Sequence, residues 1–468
     1  MAKITAIIDI GSNSIRLVIY EKSSRFAFNL IHESKHRVRI AKGAYNHGGE
    51  LQVDAIERAL LVLQEFKTIA QSFNARKILA FATSAVRDAP NRSTFINRVK
   101  QQLKINIKIL DGEKEAFYGA LAAKNLLYPL QNCNTVDIGG GSCEIATISA
   151  FKHAGAFSYN LGTVRLKELF IDKEQYKEAN VFIANTIATK TLPKQDVLVG
   201  IGGTFRALSK VLMREQKYPL KLLHAYSTSA QRMVELCKKV EQSDQKVLKQ
   251  MGIKKERLDV ILPGAMILRQ ILEKSEAKQI VCSGVGVREG YYLYDMLRFQ
   301  QLRFPSNFNV SVRYLLDTFH YKQTHHNAIA QCAKKLYTTL CQVHNQSVDY
   351  EKEIVIAAKL CDVGLSISCF NTHNIGAQIV KSALRYQLTH EQIILISTLI
   401  QYQKRKRPNA QAINAIEKFL PKLNHLTLLS LSLAIAKILH NYPLKKQLHS
   451  YDITAQNITF NRQDLGAI

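Results

Sequence analysis

The sequence predicts an α/β protein in which two similar αβ domains, residues 1–125 and 126–300, face each other across a cleft, with an all-α third domain over residues 301–468. Three observations predict it. An apolar strand, an aspartate, an apolar residue, glycine and a small polar residue follow one another twice, around Asp9 and again around Asp137. Further apolar runs at residues 196–208 and 280–290 break into Gly-rich turns and then helical patterns. Beyond Pro305 the apolar spacing is helical almost throughout.

At 468 residues and 47% hydrophobic content, the chain can fill about three cores. Its net charge of +27 points to a polyanionic partner, with nucleic acid, an anionic membrane and polyphosphate all open at this level. The eight cysteines form neither a C-x-x-C pair nor a zinc spacing, so they read as reduced, mostly buried thiols of a cytoplasmic protein. The chain opens on a strand without signal-peptide grammar. The most apolar late run, residues 426–439, is short for a membrane span and is interrupted by Thr427, Ser430, Ser432 and Lys437, so it reads as a core helix.

The turn at residues 135–144 is the strongest local signal. Val136 and Ile138 flank Asp137 in a strand, and Gly139, Gly140 and Gly141 then let backbone N–H groups close on an anion. Asp137 repels phosphate and suits a cation that bridges to it. The plainer alternative is a Gly-rich hairpin with solvated Asp137 and Glu144. The first copy places Asp9 before Gly11, Ser12 and Asn13; residues 14–20 return as a second strand, and Arg16 either points toward the turn or lies on the surface. Lys35 to Arg39 is a basic run on a strand, read as a solvated face ahead of a ligand contact. Residues 53–73 carry Ile56, Leu60, Leu63, Phe66 and Ile69 at helical spacing.

A buried strand from Lys77 ends in Thr83 and Ser84 with Arg87 just beyond, two hydroxyls and a guanidinium fork suited to phosphate. Residues 105–110 form another strand, and the helix after it opens with Glu113 and Glu115 in its first turn. These either complement the helix dipole or supply one carboxylate to a phosphate-transferring cleft; two positions apart, they cannot both face it. Residues 160–166 lead into a further helix. Gly202, Gly203 and Thr204 open another, and their N–H groups make a second anion site. The G-x-G-x-x-G spacing of a dinucleotide fold is absent.

In this order the segments resemble the exopolyphosphatase and guanosine pentaphosphate phosphohydrolase family, a branch of the actin-like, sugar kinase and chaperone ATPase superfamily. Asp9 to Ser14, Ala82 to Arg87, Gly112 to Ala116, Asp137 to Glu144, Gly202 to Thr204 and Ser283 to Gly290 carry the resemblance. It implies two actin-like (ribonuclease H-like) domains and Mg²⁺-dependent hydrolysis of the terminal phosphoanhydride of inorganic polyphosphate, of the 5′ γ-phosphate of guanosine pentaphosphate, or of both. It further implies that Glu115 is the general base, with Glu113 solvated, and that Glu144 positions the water or the metal. Asp9, Asp137 and Glu144 become the metal ligands. Gly11, Ser12, Asn13, Ser14, Thr83, Ser84, Arg87, Gly139, Gly140, Gly141, Ser142, Gly203 and Thr204 become the phosphate cradle. Cys143 stands where the family usually has threonine, which removes one hydroxyl donor from the loop.

The third domain resembles the family's HD-type helical domain at His325, residues 357–364, His373 and Tyr402 to Gln403. Cys361 sits in the place of the metal-binding histidine and Ile435 in that of the closing aspartate, so the metal site reads as dismantled and His325 and His373 as packed or surface residues. The domain then reads as a basic wall for a long polyanion, with Lys404 to Arg407 as its most basic run. The expected partners are polyphosphate or guanosine pentaphosphate, not a membrane or nucleic acid, and a homodimer remains open. A superfamily ATPase or kinase and a non-catalytic polyanion binder are the competing readings; intact Asp9, Glu115, Asp137 and Glu144 argue against the latter.

Overall fold

The computed structural model describes residues 3–319, 323–404, 408–441, 451–453 and 458–460. Two compact units divide the chain, Met1–Phe308 and Asn309–Ile468.

The first unit is built on two sheets. One joins β1 (Lys3–Ile10), β2 (Ile15–Lys22), β3 (Phe28–His36), β4 (Lys77–Ala82) and β5 (Ile107–Ile109) in the order β3-β2-β1-β4-β5. The other joins β6 (Cys133–Ile138), β7 (Cys143–Ser149), β8 (Lys152–Tyr159), β9 (Val197–Ile201), β10 (Tyr226–Ser229) and β11 (Gln279–Cys282) in the order β8-β7-β6-β9-β11-β10. Set side by side, these are one topology used twice, with β10 added at an edge. β1 and β6 take equivalent central places, each antiparallel to the strand that follows it and parallel to β4 or β9 on its other side. Burial on both faces explains their near-continuous apolar composition: Ala6, Ile7, Ile8 and Ile10 are all fully buried.

The Val53–Ser72 helix packs Ile56, Leu60, Leu63 and Phe66 into the core of the first sheet, as its spacing predicts. The Gly112–Leu126 helix starts where Asp111 accepts a hydrogen bond from the Lys114 amide at 2.7 Å. It then crosses to the second sheet, burying Ala116, Ala120 and Ala123 with Val199 and Val281. The Val287–Leu297 helix makes the return crossing, stacking Tyr292 on Tyr20 of β2 at 4.5 Å between ring centroids. Where the two helices cross, a Cβ on Gly290 would stand 1.8 Å from the Tyr118 carbonyl oxygen, so only glycine fits.

The basic run behaves differently from its sequence reading. The strand ends at His36, because the Arg39 and Ala41 amides turn away to bond the Asn13 and Ser12 carbonyls at 3.0 and 3.1 Å. That bend puts Arg39 at a φ of 52° and brings the run against the first Gly turn.

The second unit is helical, including Gln323–Val343, Glu351–Leu360, Thr372–Ala383, His390–Gln401 and Leu423–Asn441. The last of these buries Leu426, Leu429, Leu433 and Ala436 completely, as a core helix does. By length and composition alone its Leu423–His440 window is also apolar enough to cross a membrane. His326, rather than His325, faces Asp362, and donor atoms of His326, Cys361 and Asp362 lie within 4.8 Å of one another. The Lys437 ammonium stands 2.5 Å from Asp362 Oδ1 and 3.0 Å from Gln403 Oε1, so a covalently attached cation already neutralises the aspartate. Burial opposes ionisation there, but His326 and Lys437 outweigh it and draw the Asp362 carboxyl to about 2. The sequence showed Lys437 only as an interruption in an apolar run. His325 and His373 are half-buried. Of the basic run at 404–407, Lys404 is exposed and the rest lies outside the described residues. Seven of the eight free cysteines are buried and Cys369 is exposed.

Candidate active site

The repeated sequence grammar is a repeated hairpin. Asp9 faces Arg16 across β1 and β2, and Asp137 faces Glu144 at the same register across β6 and β7. Each turn is closed by the same bond, from the Gly11 amide to the Ser14 carbonyl at 3.2 Å and from the Gly139 amide to the Ser142 carbonyl at 3.0 Å. The copies differ in one choice, a guanidinium opposite the aspartate in the first and a carboxylate in the second.

The two turns meet. A Cβ on Gly140 would lie 2.8 Å from Ser12 Cβ, and one on Gly141 would lie 2.6 Å from Ser84 Oγ. The glycines at 140 and 141 are therefore required by close approach. Ser12 Oγ is itself 3.1 Å from Ser84 Oγ, which ties the first turn to the Thr83–Ser84 corner. Behind the second turn, the Thr163–Leu169 helix donates its Thr163 and Val164 amides to the Gly139 and Gly140 carbonyls at 3.0 and 2.7 Å.

Most of the residues singled out in the sequence come together around one cleft: Asp9, Gly11, Ser12, Asn13, Ser14, Thr83, Ser84, Glu115, Asp137, Gly139, Gly140, Ser142 and Gly203 all line it. Gly141 sits just behind, against Ser84 and Tyr45. Arg87 is placed to act through Glu115, since its Nη1 donates to Glu115 Oε2 at 3.1 Å and to the Leu110 carbonyl at 3.2 Å. Glu144 lies behind the Gly139 turn, where Ser158 Oγ donates to its Oε1 at 2.8 Å. Thr204 is not brought to the cleft: its side chain is buried against the space left by Gly264. Nor does Cys143 replace a loop donor, because its thiol is fully buried in the apolar core with Val136, Ile138 and Ile145. Glu113 is exposed while Glu115, one turn face away, is buried.

Burial makes this carboxylate cluster electrostatically tense. It is the main reason that Glu115 sits well above the ordinary carboxylate range; the neighbouring Glu144 adds to the shift and Arg87 opposes it. Glu144 is pushed up to about 7, again chiefly by burial, against hydrogen bonds from Ser142 and Ser158. Asp137 rises to about 6 through burial, with Arg206 opposing and Asp9 adding. Asp9 is raised by burial too, opposed by Arg288 and Arg16. The donor set fits a divalent cation. Two aspartates line one cleft, and Glu144 Oε2 is buried without a hydrogen-bond partner. Hard carboxylate oxygens of this kind suit Mg²⁺.

Apart from Arg16, which the sequence left open between the turn and the surface, sequence reasoning missed the basic side of the cleft. Arg16, Lys35, Arg206, Arg257 and Arg288 all line it. Arg288 lies inside a motif that carried the resemblance and Arg206 two residues beyond another, so position in and beside those motifs was a usable signal. Lys35 was read as a solvated face, and Arg257 belongs to a run, Lys254 to Arg257, with no sequence feature to set it apart.

Comparison with known proteins matches the model of the Ppx/GppA phosphatase family to residues 18–299 and the model of that family's domain III to residues 309–463. Among solved structures, the Aquifex aeolicus member of the Ppx/GppA family is 28% identical, with a TM-score of 0.55, and the match covers 64% of this chain and 99% of that one. A structure described as an exopolyphosphatase from Cytophaga hutchinsonii shares the fold at 23% identity and a TM-score of 0.56, covering 64% of this chain and 100% of that one. A curated relative, the bifunctional 3-dehydroquinate synthase/phosphatase of Fusobacterium nucleatum, is 29% identical over 291 residues. That match takes in 57% of this chain and 43% of the relative, so the chain spans under half of the relative's length.

Proposed function

The chain belongs to the Ppx/GppA phosphatase family, and from that premise we propose that it is a cytoplasmic, Mg²⁺-dependent hydrolase of terminal phosphoanhydride bonds, with inorganic polyphosphate as its main substrate and guanosine pentaphosphate as the alternative. One observation carries the reading. A buried carboxylate, Glu115, held by Arg87, opens onto the point where two Gly-Ser turns from duplicated hairpins converge.

In this reading the amides and hydroxyls of Gly11 to Ser14, Gly139 to Ser142 and the Thr83–Ser84 corner hold the terminal phosphoryl group, with Gly203 at the far edge. Glu115 accepts a proton from water as the water oxygen bonds to the terminal phosphorus. The bond to the bridging oxygen breaks, and the shortened chain leaves as an oxyanion beside the cleft arginines. Asp9, Asp137 and Glu144 would hold Mg²⁺, which supplies charge neutralisation for the phosphoryl oxygens. Arg87 fixes the Glu115 rotamer, and Glu144 raises the basicity of Glu115 through like-charge repulsion.

Polyphosphate is favoured over the nucleotide because, among the described residues, no aromatic side chain lines the cleft, whereas cations do. A guanine base would find no stacking surface there. The test is orthophosphate release, with Mg²⁺, from long-chain polyphosphate, guanosine pentaphosphate and ATP at matched terminal-group concentration. The expected order is polyphosphate first and ATP last. Release from ATP that exceeds both others would move the chain to the ATPase reading, and binding of all three without release would leave a polyanion-binding module.

The pH dependence follows from the paired carboxylates. The base must be ionised, and burial has raised both Glu115 and Glu144, so kcat should be full at alkaline pH and fall as pH drops, on an acid limb that lies well above the ordinary carboxylate range. Glu144→Gln removes the repelling charge and should move that acid limb to lower pH while reducing the maximal rate. An acid limb that stays in place in the variant would show that the two groups do not titrate together.

A further inference from the structure

The cations on the cleft wall form a sequence from inside to outside. Arg288 and Arg16 flank Asp9 on the floor, and both reach Glu33, at 3.1 and 3.9 Å. Arg206 stands among them, and the Arg257 guanidinium covers Gly203, where a Cβ would fall 1.6 Å from Nη2. Lys35 lines the same wall beside Arg16 and Arg257. Farther along, Arg37 Nε donates to Asn13 Oδ1 of the first turn at 3.5 Å. Side-chain exposure rises in that direction: 10% at Arg288, 17% at Arg16, 27% at Arg37 and 45% at Arg39.

At the outer end a carboxylate interrupts the row. Asp259, in the first turn of the Leu258–Ser275 helix, accepts from Arg37 Nη2 and, at 3.3 Å, from Arg39 Nη2, both through Oδ2. Its Oδ1 is buried and has no hydrogen-bond partner. Two guanidinium forks could engage both oxygens of one carboxylate. Here one oxygen serves two arginines and the other serves none.

We propose that this row is a track for the phosphates behind the terminal one, and that Asp259 is a built-in anion that holds Arg37 and Arg39 until the substrate chain displaces it. The inference rests on the phosphohydrolase reading for the direction of the chain. It assigns Arg37, Arg39 and Asp259 the role of setting chain-length preference, because a short substrate ends before it reaches them. Burial, with help from Arg16 and Arg257, lowers the Lys35 ammonium to about 8, as expected of an amine among guanidinia awaiting a polyanion.

The experiment measures KM for long-chain polyphosphate and for tripolyphosphate across a KCl series, on wild type, Asp259→Asn and the double variant Arg37→Ala/Arg39→Ala. The expected result is that Asp259→Asn lowers the long-chain KM several-fold and leaves that for tripolyphosphate within two-fold. The double variant should raise the long-chain KM at least ten-fold and flatten its salt dependence, as loss of counterion release requires. If Asp259→Asn raises the long-chain KM, leaves it unchanged, or alters long and short substrates alike, the carboxylate is a structural ion-pair partner and the proposal is overturned. Equilibrium binding of fluorescently labelled long-chain polyphosphate to the same three proteins separates the two failures. Wild type that hydrolyses nothing but binds less tightly than Asp259→Asn retires the enzymatic reading and keeps the track. Thermal unfolding identifies a misfolded variant, in which case the double variant decides alone.

Discussion

Replacing Glu115 with glutamine should lower kcat for phosphate release by about 10³-fold with KM changed only a few-fold, the signature of an interaction that matters in the transition state and not in binding. The amide keeps the shape of the carboxylate and can still accept from Arg87 Nη1, which holds Glu115 at 3.1 Å in the wild type, so the rotamer and the helix start should survive. What it loses is the ability to take a proton. Folding should not suffer, because burial and Glu144 both work against the Glu115 charge, and glutamine removes that charge. The measurement is steady-state orthophosphate release with thermal unfolding as the control. A variant that keeps more than a tenth of the wild-type rate would falsify the assignment of Glu115 as base and would point to Glu144, the other raised carboxylate, as its replacement.

Gly290→Ala is the second large effect, and it acts through packing. The added methyl would lie 1.8 Å from the Tyr118 carbonyl oxygen and 2.5 Å from its carbonyl carbon, both backbone atoms that no rotamer change can move aside. The Val287–Leu297 and Gly112–Leu126 helices must therefore separate, at a cost of about 2–3 kcal/mol typical of overpacking. Tyr118 follows Glu115 by less than one turn, so the displacement passes directly to the base. A shift of about 1 Å in a catalytic group commonly costs on the order of 10²-fold in rate. We expect a lowered Tm together with a kcat deficit that exceeds any change in KM. An unchanged Tm with wild-type kcat would mean that the crossing is looser than its geometry implies.

Legibility in the sequence followed how local each signal was. The Asp9 and Asp137 turns and the Thr83–Ser84 corner were readable, because each depends on a short run whose residues determine their own backbone; helix phase showed only that Glu113 and Glu115 cannot share a face, and the family resemblance alone chose Glu115. Thr204 and Cys143 misled for the opposite reason. Both belong to readable motifs, but their side chains are claimed by distant packing, Thr204 by Gly264 and Cys143 by the core of the second sheet. In the second unit, a histidine one place from the expected one and a lysine from another helix make the contacts to Asp362.

The sequence by itself determined the αβ duplication, the two aspartate turns and the phosphate-handling character of the site. It could do so because strand burial, glycine turns and helix phase are properties of contiguous residues. Only the tertiary structure decided where the excess positive charge goes. Arg16, Lys35, Arg206, Arg257 and Arg288 come from five separate stretches, and nothing in any one of them shows that they line one wall. Nor could the chain alone show that Asp259 closes on Arg37, 222 positions away, since that contact exists only once the two sheets face each other.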